Sequence, residues 1–171
     1  NKVIELDPKY IKAYYNRGLV WYKKQEYERA INDLNKAIEL NPKDTKAYNR
    51  RGVIWYKKQE YERAIDDYSK AIELNPKDTK AYNNRGVIWY EKQEYDKAID
   101  DYNKAIELNP KDTKAYFIRG LIWDEKGEHE KAINDFNKII ELDPKDADAY
   151  NYRGTAWSYL EKYEKAIKDY D

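Results

Sequence analysis

Residues 45–78 read TKAYNRRGVIWYKKQEYERAIDDYSKAIELNPKD, and the next 34 residues repeat that stretch almost letter for letter. The two copies differ at five places, which are Arg50/Asn84, Lys57/Glu91, Glu62/Asp96, Arg63/Lys97 and Ser69/Asn103. Proline keeps the interval of 34 residues along the whole chain, at Pro8, Pro42, Pro76, Pro110 and Pro144. A fixed period of this length is the signature of a tandem array of small structural units. The sequence therefore predicts an array rather than one irregular domain.

Each unit of the array is predicted to contain two helices. In residues 46–58 apolar side chains recur at helical intervals, and Asp44 or Thr45 can cap the free N–H groups at the helix start. A short polar turn follows, and a second apolar stripe runs through residues 61–74. The helix then ends before Pro76, because proline disfavours helical geometry in the residue that precedes it. Since the connecting turn is short, the two helices of a unit are expected to pack antiparallel.

A glycine stands inside the first helix of every unit, although glycine costs about 1 kcal/mol relative to alanine in a helix interior. We expect a packing reason for it. Gly52 is predicted to contact Ala64, so that the two helices approach closely, with Trp55 buried beside them. A larger side chain, as in Gly86→Leu, is then expected to overpack the interface.

The composition excludes several classes of protein. The 171 residues hold 33 Lys and Arg against 33 Asp and Glu, with no Cys, no Met and one His. Disulfide frameworks and zinc–thiolate or multi-histidine sites are thereby excluded, and the balanced charge argues against a general nucleic-acid binder. No apolar run exceeds four residues, whereas a membrane span needs about 20. No P-loop, dinucleotide fingerprint or Ser–His–Asp elbow occurs, so no enzymatic activity, cofactor or metal is predicted.

Two features that could suggest catalysis have simpler interpretations. His129 stands where the other units have tyrosine, at the start of a second helix, and is predicted to pack there. Adjacent carboxylates such as Asp66 and Asp67 point about 100° apart on a helix. One is therefore expected in solvent and the other beside an arginine.

The unit is similar to a known repeat. It resembles the tetratricopeptide repeat (TPR), over essentially the whole chain, through the pattern Tyr48-x2-Arg51-Gly52-x2-Trp55, then Ala64-x3-Tyr68, then Pro76. The resemblance implies an all-α fold, a right-handed α-solenoid or superhelix of antiparallel helix pairs. It also implies that the first helix of each pair lines a concave groove, which in this family typically binds peptide segments.

Arginine stands where the family usually has leucine, at Arg17, Arg51, Arg85, Arg119 and Arg153. The second helices carry an equally periodic aspartate, at Asp33, Asp67, Asp101, Asp135 and Asp169. An arginine on a packed face needs a partner. We therefore predict Arg–Asp pairs, with Arg85 mostly buried and beside Asp101. A row of arginines that binds phosphate is the alternative interpretation.

In the frame of the family, residues 1–171 are predicted to form one array. The complete repeats are residues 11–44, 45–78, 79–112 and 113–146, while 1–10 is the tail of a preceding repeat and 147–171 a truncated fifth. The chain is interpreted as a fragment of a longer array. Apolar side chains at both ends, among them Val3, Leu6, Ile167 and Tyr170, lead us to expect head-to-tail self-association.

The resemblance also implies which residues face the groove, namely first-helix positions that do not pack on the second helix. Their formal charges in the five repeats run +2, +3, 0, −1 and −1. The predicted peptide-binding residues are Lys12, Tyr15, Asn16, Tyr22, Lys23, Lys46, Asn49, Arg50, Tyr56, Lys57, Lys80, Asn83, Asn84 and Lys114. Some TPR proteins clamp a terminal carboxylate with Lys and Asn, but Tyr15, Leu19 and Arg50 occupy those places, so that clamp is not predicted.

The predicted function is a protein–protein interaction scaffold that binds a partner peptide or helix in the concave groove, with an acidic partner where the groove is basic. The alternatives are an end-to-end self-assembling structural array and, less favoured, an array that binds RNA or another polyanion. No membrane partner is predicted. The location is expected to be intracellular and cytoplasmic, because the sequence contains neither a targeting segment nor an Asn-x-Ser/Thr sequon.

Overall fold

The computed structural model describes residues 2–171, and Asn1 lies outside the described part. The described residues form eleven α-helices and no β-strand. The helices are α1 (Lys2–Leu6), α2 (Ile11–Lys23), α3 (Tyr27–Leu40), α4 (Thr45–Lys57), α5 (Tyr61–Leu74), α6 (Thr79–Glu91), α7 (Tyr95–Leu108), α8 (Thr113–Glu125), α9 (His129–Leu142), α10 (Ala147–Tyr159) and α11 (Tyr163–Tyr170). Consecutive helices pack in pairs, such as α2 on α3 and α4 on α5. The all-α fold of helix pairs predicted from the sequence is confirmed.

The described residues divide into two compact units. Unit 1 ends at Ile88 and holds α1 to α5 with most of α6, whereas unit 2 begins at Trp89 and holds the end of α6 with α7 to α11. Each unit has its own core. Leu34 and Ile54 are fully buried in unit 1, and Phe136 and Ile139 are fully buried in unit 2.

An aspartate cap at the start of the first helix and a tight turn before the second helix define the pair of α4 and α5. The Asp44 carboxylate caps α4 by accepting hydrogen bonds from the N–H groups of Lys46 and Ala47, at 3.0 and 3.2 Å. The turn between α4 and α5 places Gln59 in the left-handed region, with φ 61°. Such a backbone suits glycine, and Gly127 occupies the corresponding turn of unit 2 with φ 73°.

Gly52 and Gly120, inside the first helices α4 and α8, meet an aromatic ring of the second helix rather than a small side chain. A Cβ placed on Gly52 would lie 2.9 Å from Cε1 of Tyr68, and Tyr68, not the predicted Ala64, supplies its three nearest atoms. The same Cβ on Gly120 would lie 2.9 Å from Cε1 of Phe136. At these two positions the glycine is needed because an aromatic side chain of the second helix occupies the space beside it. A Cβ on Gly18 would instead lie 3.3 Å from Ala30 O and 3.3 Å from Leu34 Cγ.

Trp55 is less buried than the sequence predicted. Trp55 is half-buried at the rim of the core. The Arg63 guanidinium lies 4.6 Å from the Trp55 ring centroid, and the Lys58 ammonium lies 5.2 Å from it. The indole is thus covered by cations, an arrangement that cation–π attraction favours.

The predicted Arg–Asp pairs are confirmed for four of the five arginines, at Arg17–Asp33, Arg51–Asp67, Arg119–Asp135 and Arg153–Asp169. Arg51 donates to Asp67 through Nε at 2.9 Å and Nη2 at 2.6 Å. Its Nη1 also donates to Oδ1 of Asn35, in the preceding repeat, at 2.6 Å. Burial raises the pKa of the Asp67 carboxyl, although the hydrogen bonds from Arg51 act in the opposite direction. Asp66 lies in solvent, as predicted.

Arg85 is half-buried, where the prediction had it mostly buried. It donates from Nη1 to Ser69 Oγ at 2.8 Å within unit 1. Its predicted partner Asp101 belongs to unit 2, and that pairing stays a prediction.

Candidate functional site

A groove with a volume of about 670 Å³ lies within unit 1. The first helices α2, α4 and α6 and the loop that precedes α6 supply its walls. The lining residues are Tyr15, Thr45, Lys46, Asn49, Arg50, Val53, Asn75, Lys77, Asp78, Thr79, Lys80 and Asn84. Apolar positions of these helices are used in the core, so their polar and aromatic side chains are left to face the groove.

The groove is cationic. Lys46, Arg50, Lys77 and Lys80 line it, against the single carboxylate of Asp78. Among the described residues none of these four cations forms an ion pair, whereas lysines of the second helices, such as those at 36 and 70, pair with glutamates three residues on. The groove therefore carries an excess of positive charge, because four cations line it against one carboxylate.

Two of the lining side chains are held in place by neighbours. Asn49 Nδ2 donates to Oδ2 of Asp78 at 2.6 Å, while Asp78 Oδ1 accepts from the N–H groups at the start of α6. The Arg50 guanidinium lies 5.9 Å from the Tyr22 ring centroid, and that ring packs on Tyr27 at 6.1 Å. Arg50 is thus positioned by an aromatic face while its N–H groups remain available to a ligand.

The structure brings together six of the fourteen predicted groove residues: Tyr15, Lys46, Asn49, Arg50, Lys80 and Asn84. The other eight do not line this groove: Lys12, Asn16, Tyr22, Lys23, Tyr56, Lys57, Asn83 and Lys114. Tyr22 acts instead as a support for Arg50, and Tyr56 packs on Tyr61 at 6.0 Å. Whether any of the fourteen contacts a partner stays a prediction.

Sequence reasoning missed the contribution of the loop between repeats. Asn75 and Lys77 line the groove from this loop, and neither is a first-helix position of the family pattern. Lys77 follows the periodic proline, and every proline in the chain is followed by lysine. That regularity was a usable signal for a second source of groove cations.

A smaller notch in unit 2 has a different character. It has a volume of about 210 Å³ and is lined by Thr113, Lys114, Phe117, Asp146 and Asp148. The Phe117 ring meets Tyr152 edge to face, with centroids 5.2 Å apart and an interplanar angle of 87°. The notch thus joins an aromatic wall to two carboxylates and one lysine.

His129 packs as predicted. Its ring stacks on Tyr159, with centroids 4.8 Å apart and an interplanar angle of 7°, and Nδ1 lies 2.7 Å from Oδ1 of Asp124. In unit 1 the equivalent positions hold the tyrosine pair Tyr22 and Tyr27. A His–Asp contact has therefore replaced a ring–ring contact at this helix junction.

The Tyr90 hydroxyl forms a hydrogen bond between two neighbouring repeats of unit 2. It donates to Oε1 of Glu125 at 2.5 Å. Burial, and secondarily this hydrogen bond, raise the pKa of Tyr90 to about 12. The phenol is therefore a neutral donor at physiological pH, with a structural role between neighbouring repeats.

Residues 2–171 contain no group of three or more His, Cys, Asp or Glu side chains that could hold a metal ion. None of the described helices is long and apolar enough to cross a membrane.

The chain matches a family of repeat sequences and several solved structures. The family description "Tetratricopeptide repeat" matches residues 11–44, 45–78, 79–112 and 113–146, and a second description of that name matches 136–168. No curated protein matches the chain.

Several solved structures share the fold. A crystal structure of MamA protein has a TM-score of 0.87 and 27% identity, and the match covers 94% of this chain and 87% of that one. YrrB, described as a TPR protein with an unusual peptide-binding site, has a TM-score of 0.83 and 28% identity, covering 98% of this chain and 87% of that one. MamA from Desulfovibrio magneticus RS-1 has 21% identity and a TM-score of 0.84, covering 94% and 90%, and shows the fold alone. With four consecutive repeats matched, this chain belongs to the tetratricopeptide repeat family.

Proposed function

We propose that this chain is a protein–protein interaction scaffold whose unit 1 groove binds an extended acidic segment of a partner protein. The observation that carries the proposal is the set of four cations around the groove, Lys46, Arg50, Lys77 and Lys80, none with an anionic partner among the described residues. Carboxylates of a bound segment would supply those partners. The apolar surface of Tyr15 and Val53 offers contact area to the same segment.

The size and lining of the groove support a peptide. Its volume of about 670 Å³ lies within the 300–1,000 Å³ range of ligand sites. Ten of its twelve lining residues are polar or charged, whereas a small-molecule pocket is lined mainly by apolar side chains. Asn84 and Thr79 can bond the backbone of an extended chain, since amide and hydroxyl groups both donate and accept. The match to YrrB, which is described as having a peptide-binding site, agrees with this proposal.

The test is fluorescence anisotropy with a fluorescein-labelled peptide of eight glutamates at 50 mM salt. We expect saturable binding that Lys46→Glu with Arg50→Glu weakens at least tenfold, because reversing two charges turns attraction into repulsion at the centre of the groove. Lys36→Glu with Lys70→Glu is the matched control. It changes the net charge equally, but each substitution removes only an exposed ion pair on a second helix, which does not line the groove.

Two results would contradict the proposal. One is equal loss of binding in the groove variant and in the control, which would mean non-specific attraction. The other is tighter binding of an eight-nucleotide oligouridylate than of the peptide, with the steep salt dependence of phosphate contacts. That result would favour a polyanion-binding array instead.

A further inference from the structure

The notch of unit 2 is the counterpart of part of the unit 1 groove, two repeats further along the chain. Its five lining residues, Thr113, Lys114, Phe117, Asp146 and Asp148, correspond in order to Thr45, Lys46, Asn49, Asp78 and Lys80, all of which line the unit 1 groove. Three of the five positions keep the same residue. Two do not: phenylalanine replaces Asn49, and aspartate replaces Lys80.

The first replacement removes an internal hydrogen-bond donor. In unit 1 Asn49 Nδ2 donates to Oδ2 of Asp78 at 2.6 Å. In unit 2 Asp146 keeps the helix-capping bond, in which its Oδ1 accepts from the Ala149 N–H at 2.9 Å. Its Oδ2 accepts from no group among residues 2–171, because Phe117 stands where the amide donor would be.

The second replacement reverses the charge. The corresponding five positions carry Lys46, Asp78 and Lys80 in unit 1, a formal sum of +1, but Lys114, Asp146 and Asp148 in unit 2, a formal sum of −1. Asp148 is exposed and has no ion-pair partner among the described residues. The unit 2 notch therefore combines a free acceptor, an unpaired carboxylate and an aromatic wall.

We infer that the unit 2 notch is a subsite for one arginine side chain of a partner protein, opposite in charge preference to the unit 1 groove. A guanidinium is planar and carries five N–H donors, so it can stack on the Phe117 ring while donating to Asp146 Oδ2 and to Asp148. Phe117 is held by edge-to-face contacts with Tyr152 and Phe136, with ring centroids 5.2 and 6.1 Å apart, and its ring is partly exposed. The volume of about 210 Å³ is below the range of whole small-molecule sites and suits a single side chain.

This inference deepens the proposed interaction scaffold, and the experiment separates the two. The probes are acetylated, amidated pentapeptides with four glycines and one central residue, which is arginine, citrulline or glutamate. Each is titrated into ¹⁵N-labelled protein, and amide shifts are followed by NMR. We expect the arginine peptide to shift the amides of residues 113–117 and 146–149 at millimolar concentration, and its uncharged isostere citrulline to shift them several-fold less.

Two variants take the notch back to the chemistry of unit 1. Phe117→Asn restores the internal donor to Asp146, and Asp148→Lys restores the positive sum. Either variant is expected to weaken binding of the arginine peptide at least fivefold. Lys114→Ala removes the one cation that lines the notch and is expected to strengthen binding of that peptide about twofold. Because unit 1 carries the restored residues in the same fold, both variants are expected to keep the helical spectrum.

Equal shifts from the arginine and citrulline peptides, or no effect of Phe117→Asn and Asp148→Lys, would overturn the arginine subsite. The glutamate peptide reports separately on unit 1. Shifts of residues 46–53 with glutamate, without shifts of the notch with arginine, would leave the proposed function standing and refute only this inference. Shifts of the notch with the arginine peptide, without shifts of residues 46–53 with the glutamate peptide, would support this inference and contradict the proposed function.

Discussion

Substituting Gly52 with alanine tests the packing account most directly, because two effects of known size oppose each other. In a helix interior alanine is favoured over glycine by about 1 kcal/mol. Against that, the new Cβ would lie 2.9, 3.0 and 3.2 Å from three carbons of the Tyr68 ring, all closer than the 3.4 Å at which ordinary contact begins. The ring is 1% exposed and cannot swing into solvent.

Overpacking of this kind costs about 1–3 kcal/mol, so we expect Gly52→Ala to lower the free energy of unfolding by about 1 kcal/mol net. The assay is urea denaturation followed by circular dichroism. A Tyr68→Leu background copies the Leu34 of the first repeat, where a Cβ on Gly18 would lie 3.3 Å from Leu34 Cγ and 3.3 Å from Ala30 O. The contact is therefore relaxed by a few tenths of an ångström, and Gly52→Ala is expected to cost less stability in that background than in the wild type. The coupling between the two sites should then be about 1–2 kcal/mol. A Gly52→Ala protein that is more stable by the full helix-propensity gain would refute the reasoning.

Three further outcomes follow from the fold. Asp67→Ala leaves the Arg51 guanidinium without its bidentate partner and is expected to cost about 3 kcal/mol in urea denaturation, whereas a loss below about 1 kcal/mol would contradict a structural role. Gln59→Gly removes a side chain from a left-handed backbone and should raise the free energy of unfolding by up to about 1 kcal/mol, while Gly127→Gln should lower it by a similar amount. If both substitutions changed the free energy of unfolding in the same direction, this explanation would be wrong. Ile167, 58% exposed, is expected to support association of copies, so Ile167→Lys should remove the concentration dependence of sedimentation, and a wild-type chain that sediments as a monomer at every concentration would disprove it.

The regular part of the fold could be predicted from the sequence because it depends on local, repeated signals. The second helix predicted at residues 61–74 is observed as Tyr61–Leu74, and the first helix predicted at 46–58 is observed one residue earlier, at Thr45–Lys57. The Arg–Asp ion pairs could also be predicted, because both residues recur every 34 positions and a buried charge requires a partner of opposite charge.

The errors concern side-chain direction. The periodic glycine predicted that Gly52 packs closely against the second helix. Only the packing geometry of the two helices decides that the nearest atoms to a Cβ on Gly52 belong to Tyr68 and not to Ala64. Trp55 was predicted in the core because large apolar residues are often buried, yet its place beside Lys58 and Arg63 at a helix end leaves it half-exposed. The groove was predicted from helices alone, so the loop residue Lys77 was missed.

The third hydrogen bond of Arg51, to Asn35 in the preceding repeat, has a consequence for how the chain unfolds. Arg119 and Arg153 make the same bond to Asn103 and Asn137. Each of these guanidinium groups belongs to two repeats at once, so the preceding repeat cannot fray without breaking a hydrogen bond to the guanidinium of its neighbour. In a linear array, where stability is a sum of repeat and nearest-neighbour terms, such bonds add to the neighbour term. They make the melting of adjacent repeats more cooperative and thereby keep a binding groove built from several repeats intact until those repeats unfold together.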